Sequence, residues 1–130
     1  MTEEQALAAV TAAISQARVL GVRVTAVAVD AGGHAKALLR MDGAPFQSVT
    51  IATDKAATSA GFGVPTAIWK DRIGGKPHLL EGLNQRAGFI PIGGGLPVLA
   101  EGKVIGGLGV SGATEEQDCQ IAEAGLAAVS

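Results

Sequence analysis

Apolar residues near the start of the chain recur every three or four positions, which predicts an amphipathic helix over residues 3–20. Thr2 and Gln5 form a capping box at the start of this segment. Gly21 can adopt the left-handed conformation that ends a helix. The apolar stripe consists of Leu7, Val10, Ile14 and Ala17. The first element is therefore expected to be a helix with one face on a core.

The pattern then changes to the alternation that is typical of strands. Residues 22–30 and 34–40 alternate on either side of a glycine-containing turn, which predicts a β-hairpin. Residues 46–60 are rich in alanine and lack glycine and proline, so a second helix is expected there, ended by Gly61 or Gly63. Residues 65–73 predict a short helix, and residues 78–85 a further helical turn.

The last third of the chain predicts three short strands and a closing helix. The strands are expected at residues 88–92, 96–99 and 103–110, and the last two are joined by a two-residue turn. A second capping box, Thr114 with Gln117, opens a helix that extends to about residue 129. The order is α-β-β-α-α-β-β-β-α, and its tight turns indicate antiparallel pairing. One α+β domain over residues 1–130 is expected, with helices packed on an antiparallel sheet.

Composition narrows the function classes. Only 17% of the 130 residues are charged, against about 25% in typical domains, which suggests that another copy covers part of the surface. The net charge is −2 and no basic stripe is visible, so no nucleic-acid partner is expected. No apolar run is long enough to span a membrane and no signal peptide is visible. With a single cysteine, Cys119, a cytoplasmic protein is expected.

Gly107, Gly109 and Gly112 spell G-x-G-x-x-G after a predicted strand, as in dinucleotide-binding turns. That fingerprint requires a parallel strand after its helix and an acidic residue about 20 positions on. The 18 residues after Gly112 hold one helix and no strand, so no dinucleotide cofactor is expected. Ser111 lies in a near match to a nucleophile elbow, but no histidine follows it. The glycines are expected to let a helix pack closely on a central strand.

Four segments together resemble the GlcG/HbpS family of haem-binding-like proteins and the C-terminal part of PduO-type corrinoid proteins. They are VAVDAGGHAKALLRMDGA from residue 27, ATDKAATSAGFGVPT from residue 52, IPIGGGLPVLAEGKVIGGLGVSGAT from residue 90, and the closing EEQDCQIAEAGLAA. The resemblance implies a profilin-like fold with a five-stranded antiparallel sheet and a tendency to form homo-oligomers. It also implies that haem or another tetrapyrrole is a candidate ligand, although a shared fold does not transfer a function.

Candidate ligand-binding residues come from three parts of the chain. Arg40 can hold a carboxylate through two hydrogen bonds, or pair locally with Asp42 in a turn. Lys55 lies among small residues in the second helix, where it is either exposed or placed to meet an anion or act as a base. Gly93, Gly94 and Gly95 can present backbone amides to an oxyanion, or serve only as a strand connection. A pocket formed by Arg40, Lys55 and this glycine loop, within one chain or across two subunits, is the site hypothesis.

The two histidines, His34 and His78, are not spaced for a metal site within one chain, so none is expected. His34 is expected to be exposed at a turn, whereas His78 is a candidate haem ligand or catalytic group. Met41 is a candidate soft ligand, but its place in the R-M-D-G block favours packing in its turn. The first helix has no histidine, so haem-binding relatives that use one there would lack their ligand in this chain.

Two functions remain open at this point. The first is a homo-oligomeric protein that binds an anionic organic ligand, with haem among the candidates, near a subunit interface. The alternative is a cofactor-independent lyase, dehydratase or isomerase that acts by proton transfer on a hydroxy- or oxo-acid. Lys55, Asp42 and His78 would be its catalytic residues.

Overall fold

The structure is a computed structural model that describes residues 1–129. It contains five α-helices and four strands within those residues, and a single 3₁₀ turn, Thr66–Ile68, leads into the third helix. In chain order the elements are α1 (Glu3–Leu20), β1 (Thr25–Asp30), β2 (Ala35–Arg40), α2 (Gln47–Phe62), α3 (Trp69–Ile73), α4 (Pro77–Asn84), β3 (Gly95–Ala100), β4 (Lys103–Ser111) and α5 (Glu115–Ala127). None of these helices is long and apolar enough to cross a membrane.

The sheet confirms the predicted α+β class and corrects the strand count. Its four strands lie in the order β2-β1-β4-β3, and every neighbouring pair is antiparallel. The fifth strand, expected at residues 88–92, is absent, and the element order is α-β-β-α-α-α-β-β-α. The physical reason lies in α2, where Thr58 Oγ1 donates to Gly88 O at 2.9 Å and accepts from Ile90 N at 3.1 Å. These backbone groups bind a helix side chain instead of a neighbouring strand.

The helices form a layer on each face of the sheet. Buried residues of α1 and α5 pack against Ala26, Ala28, Leu108 and Val110 on one face. Buried alanines of α2 pack against Val27 and Val29 on the other face. The alternation of side chains along a strand sends consecutive residues of β1 to opposite layers.

The glycines of β4 explain the close approach of α2. A Cβ atom at Gly107 would overlap the carbonyl oxygen of Ala56, and one at Gly109 would overlap that of Ala52. The backbone of α2 therefore lies directly on an inner strand of the sheet. This confirms the close-packing interpretation of the glycine run. The strand that contains these glycines, β4, is antiparallel to both of its neighbours. A dinucleotide-binding turn would instead follow a strand of a parallel sheet.

Several predicted boundaries are confirmed. The first helix covers Glu3–Leu20, with both bonds of the capping box formed and Gly21 left-handed at φ 71°. Gly63, also at φ 71°, ends α2, which decides between the two predicted stops. The second capping box, Thr114 with Gln117, opens α5. These signals are local in sequence, and they specify where α1, α2 and α5 begin or end.

Candidate functional site

A buried ion pair links the two helical layers. Lys55 is 2% exposed and Asp118 is 3% exposed, yet both are charged side chains. Lys55 Nζ lies 3.1 Å from Asp118 Oδ2 and donates to Val110 O at 2.9 Å. Lys55 is therefore buried and not exposed, and the anion that it meets here is a side chain of the same protein. Both contacts require the amine to donate, and a buried charge is retained only when it is paired and hydrogen-bonded in this way.

Asp118 is the residue that the sequence interpretation missed. Its Oδ1 accepts the backbone N–H of Ala113 at 3.1 Å, so the carboxylate binds Lys55 and the loop before α5 together. Burial raises the pKa of Asp118 above its usual value, while the Lys55 charge and these hydrogen bonds oppose the shift. A sequence signal existed: Asp118 shares the helical face of Ile121, Ala122 and Gly125, and Lys55 shares that of Ala52, Ala56 and Ser59. A charge on each apolar face predicts that the two are paired.

The predicted glycine loop lies against this pair. A Cβ at Gly94 would come 2.9 Å from Lys55 Nζ, and the Gly94 carbonyl accepts the N–H of Val110 at 2.9 Å. The Gly95 N–H donates to Thr66 Oγ1 at 2.8 Å. Gly93 lies between the side chains of Glu115 and Cys119. The structure thus brings Lys55 together with Gly93–Gly95, and the amide of Gly95 is already bound to a protein group.

Arg40 lies elsewhere, in an open cleft of about 630 Å³ between the end of α1 and the end of β2. Among the described residues, those lining this cleft are Arg18, Gly21, Val22, Arg23, Leu39, Arg40, Met41 and Asp42. We call it the arginine cleft. Arg23 Nη1 donates to the backbone carbonyl of Asp42 at 2.7 Å, which fixes one guanidinium group at the rim. Three cations against a single carboxylate give the cleft an excess of positive charge, a suitable environment for an anion.

The predicted pocket of Arg40 with Lys55 and the glycine loop is not assembled within one chain. Arg40 lies on the edge strand β2, where it pairs with Thr25 of β1. Gly95 lies on β3 at the opposite edge of the sheet. Three strand spacings separate the two edges, or roughly 14 Å. Within the described chain, the arginine cleft and the Lys55–Asp118 pair are therefore separate features.

The remaining candidate residues are also separate from one another. Asp42 is exposed at the arginine cleft, and none of the described ion pairs joins it to Arg40. His78 is exposed on α4, and His34 is exposed at the hairpin turn, 3.3 Å from Asp30. Met41 is buried, and its sulfur accepts the Val24 N–H at 3.4 Å, which agrees with turn packing. Over residues 1–129 no cluster of three histidine, cysteine or acidic side chains is placed to hold a metal ion.

Two smaller pockets, each of about 230 Å³, flank an aromatic cluster of Phe62, Trp69 and Phe89. The three rings meet edge to face at centroid distances of 4.8–5.7 Å. Trp69 Nε1 is buried and has no hydrogen-bond acceptor among the described residues. The indole ring instead packs against the rings of Phe62 and Phe89. Neither pocket contains a site residue predicted from the sequence.

The family model described as haem degrading protein HbpS-like matches residues 1–127. The chain belongs to the HbpS-like family. A 15.0 kDa protein from the dhaT-dhaS intergenic region of Citrobacter freundii is 36% identical, over 97% of this chain and 96% of its own length. The corrinoid adenosyltransferase PduO of the same organism is 34% identical over 92% of this chain. This HbpS-like chain spans only 36% of PduO.

Two solved structures show how closely the HbpS-like fold is shared. A double mutant of Streptomyces reticuli HbpS is 35% identical and superposes with a TM-score of 0.91, over 100% of this chain and 87% of that one. A structure of PduOC in complex with heme is 32% identical with a TM-score of 0.90, over 98% of this chain and 94% of that one. The resemblance to the GlcG/HbpS family and to the PduO C-terminal part is thus confirmed.

Proposed function

We propose that this HbpS-like chain is a small-molecule-binding protein that holds an anionic organic ligand in the arginine cleft. The observation that carries the proposal is the set of Arg18, Arg23 and Arg40 around one open cavity with a single opposing carboxylate. Within the described residues, neither Arg18 nor Arg40 is engaged by an ion pair. Guanidinium groups bind carboxylates through two parallel hydrogen bonds, so a ligand with two carboxylates suits this cleft.

Haem is the first ligand to test, because HbpS names the family and a related structure contains heme. The residues fit only part of that molecule. The arginines suit its two carboxylates, but no histidine, cysteine or lysine lines the described cleft, and the sulfur of Met41 is bound to Val24. Iron ligation by this cleft therefore does not fit, and we propose that the carboxylates anchor the ligand.

We further propose that the chain forms a homo-oligomer with the cleft near the subunit interface. Leu39 lines the cleft and is 43% exposed, and Leu38 beside it is 45% exposed. Both lie on β2, an edge strand that pairs with β1 alone. Exposed apolar residues beside an unpaired strand edge are typical of an association surface. A mass near 12.9 kDa by light scattering at micromolar concentration would contradict this proposal.

The alternative function is a proton-transfer enzyme that uses Lys55, Asp42 and His78, and no contact in the structure favours it. Asp42 lines the arginine cleft, whereas Lys55 and His78 do not. Lys55 is held as a hydrogen-bond donor in the core. Binding without turnover is therefore the function that the geometry supports best.

The proposal is tested with three probes: hemin, protoporphyrin IX and the dimethyl ester of protoporphyrin IX, which lacks free carboxylates. We expect hemin and protoporphyrin IX to bind with similar affinity. The ester should bind more weakly by a factor of about ten or more. Arg40→Gln should weaken the binding of both hemin and protoporphyrin IX. Arg72→Gln changes an arginine on α3 outside the cleft and should leave this binding unchanged. Equal binding of acid and ester, or an unaffected Arg40→Gln, would overturn the proposal.

A further inference from the structure

The Lys55–Asp118 pair holds both sides of the loop that follows β4. Lys55 donates to the carbonyl of Val110, and Asp118 accepts the N–H of Ala113. The segment 110–113 is therefore fixed at both ends by the two members of one buried ion pair. Gly112 lies between these two fixed points.

Gly112 in turn lies directly against the backbone beside the arginine cleft. A Cβ at Gly112 would come 2.9 Å from Val24 Cα and would also meet the carbonyl oxygen of Arg23. Its φ of 131° is one that side-chain-bearing residues rarely adopt. Residue 112 is a glycine because the chain turns here against a neighbouring backbone, with no space for a side chain.

Val24 connects this contact to the cleft. Its N–H donates to Met41 Sδ at 3.4 Å, and its carbonyl accepts the N–H of Met41 at 3.0 Å. Arg23 and Met41 both line the arginine cleft. A continuous series of contacts thus leads from the ion pair through Gly112 to two residues of the cleft.

We infer that Lys55 and Asp118 are positioning residues for the arginine cleft, which they support through Gly112 without touching a ligand. This inference rests on the proposed function for its ligand, but the positioning itself can be measured on the protein alone. Protonation of Asp118 removes the negative charge that faces Lys55, so the surroundings of Gly112 should change in acid. The other charged or titratable groups that interact with Asp118 are Lys55, on α2, and Glu115 and Cys119, on its own helix.

Two readouts test the inference, and the first is ligand binding at neutral pH. In Asp118→Asn the amide oxygen can still accept from Ala113, but the charge is lost. We expect protoporphyrin IX to bind to Asp118→Asn about two- to thirtyfold more weakly than to wild type. This is the range for residues that influence a binding site without touching its ligand. Asp54→Asn is the matched control, because Asp54 is a half-buried acid on α2 outside these contacts, and it should bind as wild type.

The second readout is the amide NMR spectrum of the ligand-free protein during acid titration. We expect the amides of Gly112, Ala113 and Val24 to shift with one midpoint in wild type and not in Asp118→Asn. If wild type binds no porphyrin, the proposed function fails, and the titration alone decides the positioning. If Asp118→Asn does not fold, wild-type titration decides it. The inference is overturned if the amides of Val24 and Gly112 do not titrate with the midpoint of the Ala113 amide. It is also overturned if a folded Asp118→Asn binds protoporphyrin IX as wild type does.

Discussion

Lys55 Nζ lies 3.1 Å from Asp118 Oδ2, although the two side chains start from helices on opposite faces of the sheet. The pair therefore crosses the sheet plane beside Gly94, whose missing side chain leaves room for the ammonium group. Pairs of this kind are weak sources of net stability, because desolvation of both charges offsets their attraction. They fix one arrangement of the elements that they join, since either charge left alone would be buried without a partner.

Removal of one partner should be costly. In Lys55→Met, Asp118 remains buried without its cation, and we expect the free energy of unfolding to fall by about 3–5 kcal/mol. Chemical denaturation measures this loss. Lys103→Met, which removes an exposed lysine at the start of β4, should change stability by about 0.5 kcal/mol or less. The double variant Lys55→Met with Asp118→Leu should lose less than the sum of the two single variants. Simple additivity would contradict the pairing.

The sequence predicted those parts of the fold that depend on neighbouring residues. Thr2 with Gln5 and Thr114 with Gln117 are three residues apart, and both capping boxes form. The apolar run 88–92 resembled a strand, but Thr58, about thirty residues earlier, binds its backbone instead. No local pattern contains that contact.

The same distinction applies to the candidate site. Lys55 and Asp118 are 63 positions apart, so their contact depends on the packing of α2 and α5 around the sheet. Arg40 is an anion-binding candidate by its residue type, and Arg18 and Arg23 join it only because α1 ends beside β2. Residue type identified the anion-binding candidates, whereas topology decided which of them share a cavity.

The glycines under α2 give a second prediction. Gly109→Ala places a methyl group against the carbonyl of Ala52, so α2 must move away from the sheet. We expect a loss of about 1–3 kcal/mol or more, measured by thermal unfolding. Gly61→Ala is the control on the same helix, because its Cβ would meet no atom within 4 Å. That change should stabilise the protein by about 0.5–1 kcal/mol, and a similar loss in both variants would contradict the packing argument.

The geometry of the cleft cation should matter as well as its charge. Arg40→Lys keeps a positive charge beside Arg18 and Arg23 but loses the planar group that binds a carboxylate through two hydrogen bonds. We expect protoporphyrin IX to bind about tenfold more weakly, as measured by fluorescence titration. The melting temperature should not change, because Arg40 is exposed. Wild-type affinity in Arg40→Lys would mean that only the net charge attracts the ligand.

Thr66 should hold the glycine loop onto the sheet. Its hydroxyl accepts the N–H of Gly95 at 2.8 Å in a buried position, and Thr66→Val leaves that donor without a partner. We expect a loss of about 1–3 kcal/mol and faster hydrogen exchange at Gly95. Thr50→Val removes an exposed hydroxyl that bonds only within α2, and it should leave the exchange of Gly95 unchanged. Unchanged exchange in Thr66→Val would contradict the role of Thr66.

The last prediction concerns the pH dependence of folding. Burial raises the pKa of Asp118 above the ordinary value of 3.8, so the folded state keeps this proton at pH values where the unfolded chain has lost it. Stability falls with rising pH wherever the folded state binds more protons. The contribution of Asp118 is therefore fully present below pH 3.8 and is lost as the pH rises through the raised pKa. Relative to Asp118→Asn, wild type should become less stable as the pH rises above 3.8, as measured by chemical denaturation. In Lys55→Met the decrease should be larger and extend to higher pH, because the cation that opposes the shift is gone. A wild type that gains stability relative to Asp118→Asn over this range would show that the Lys55 charge outweighs burial, and that the pKa of Asp118 is lowered.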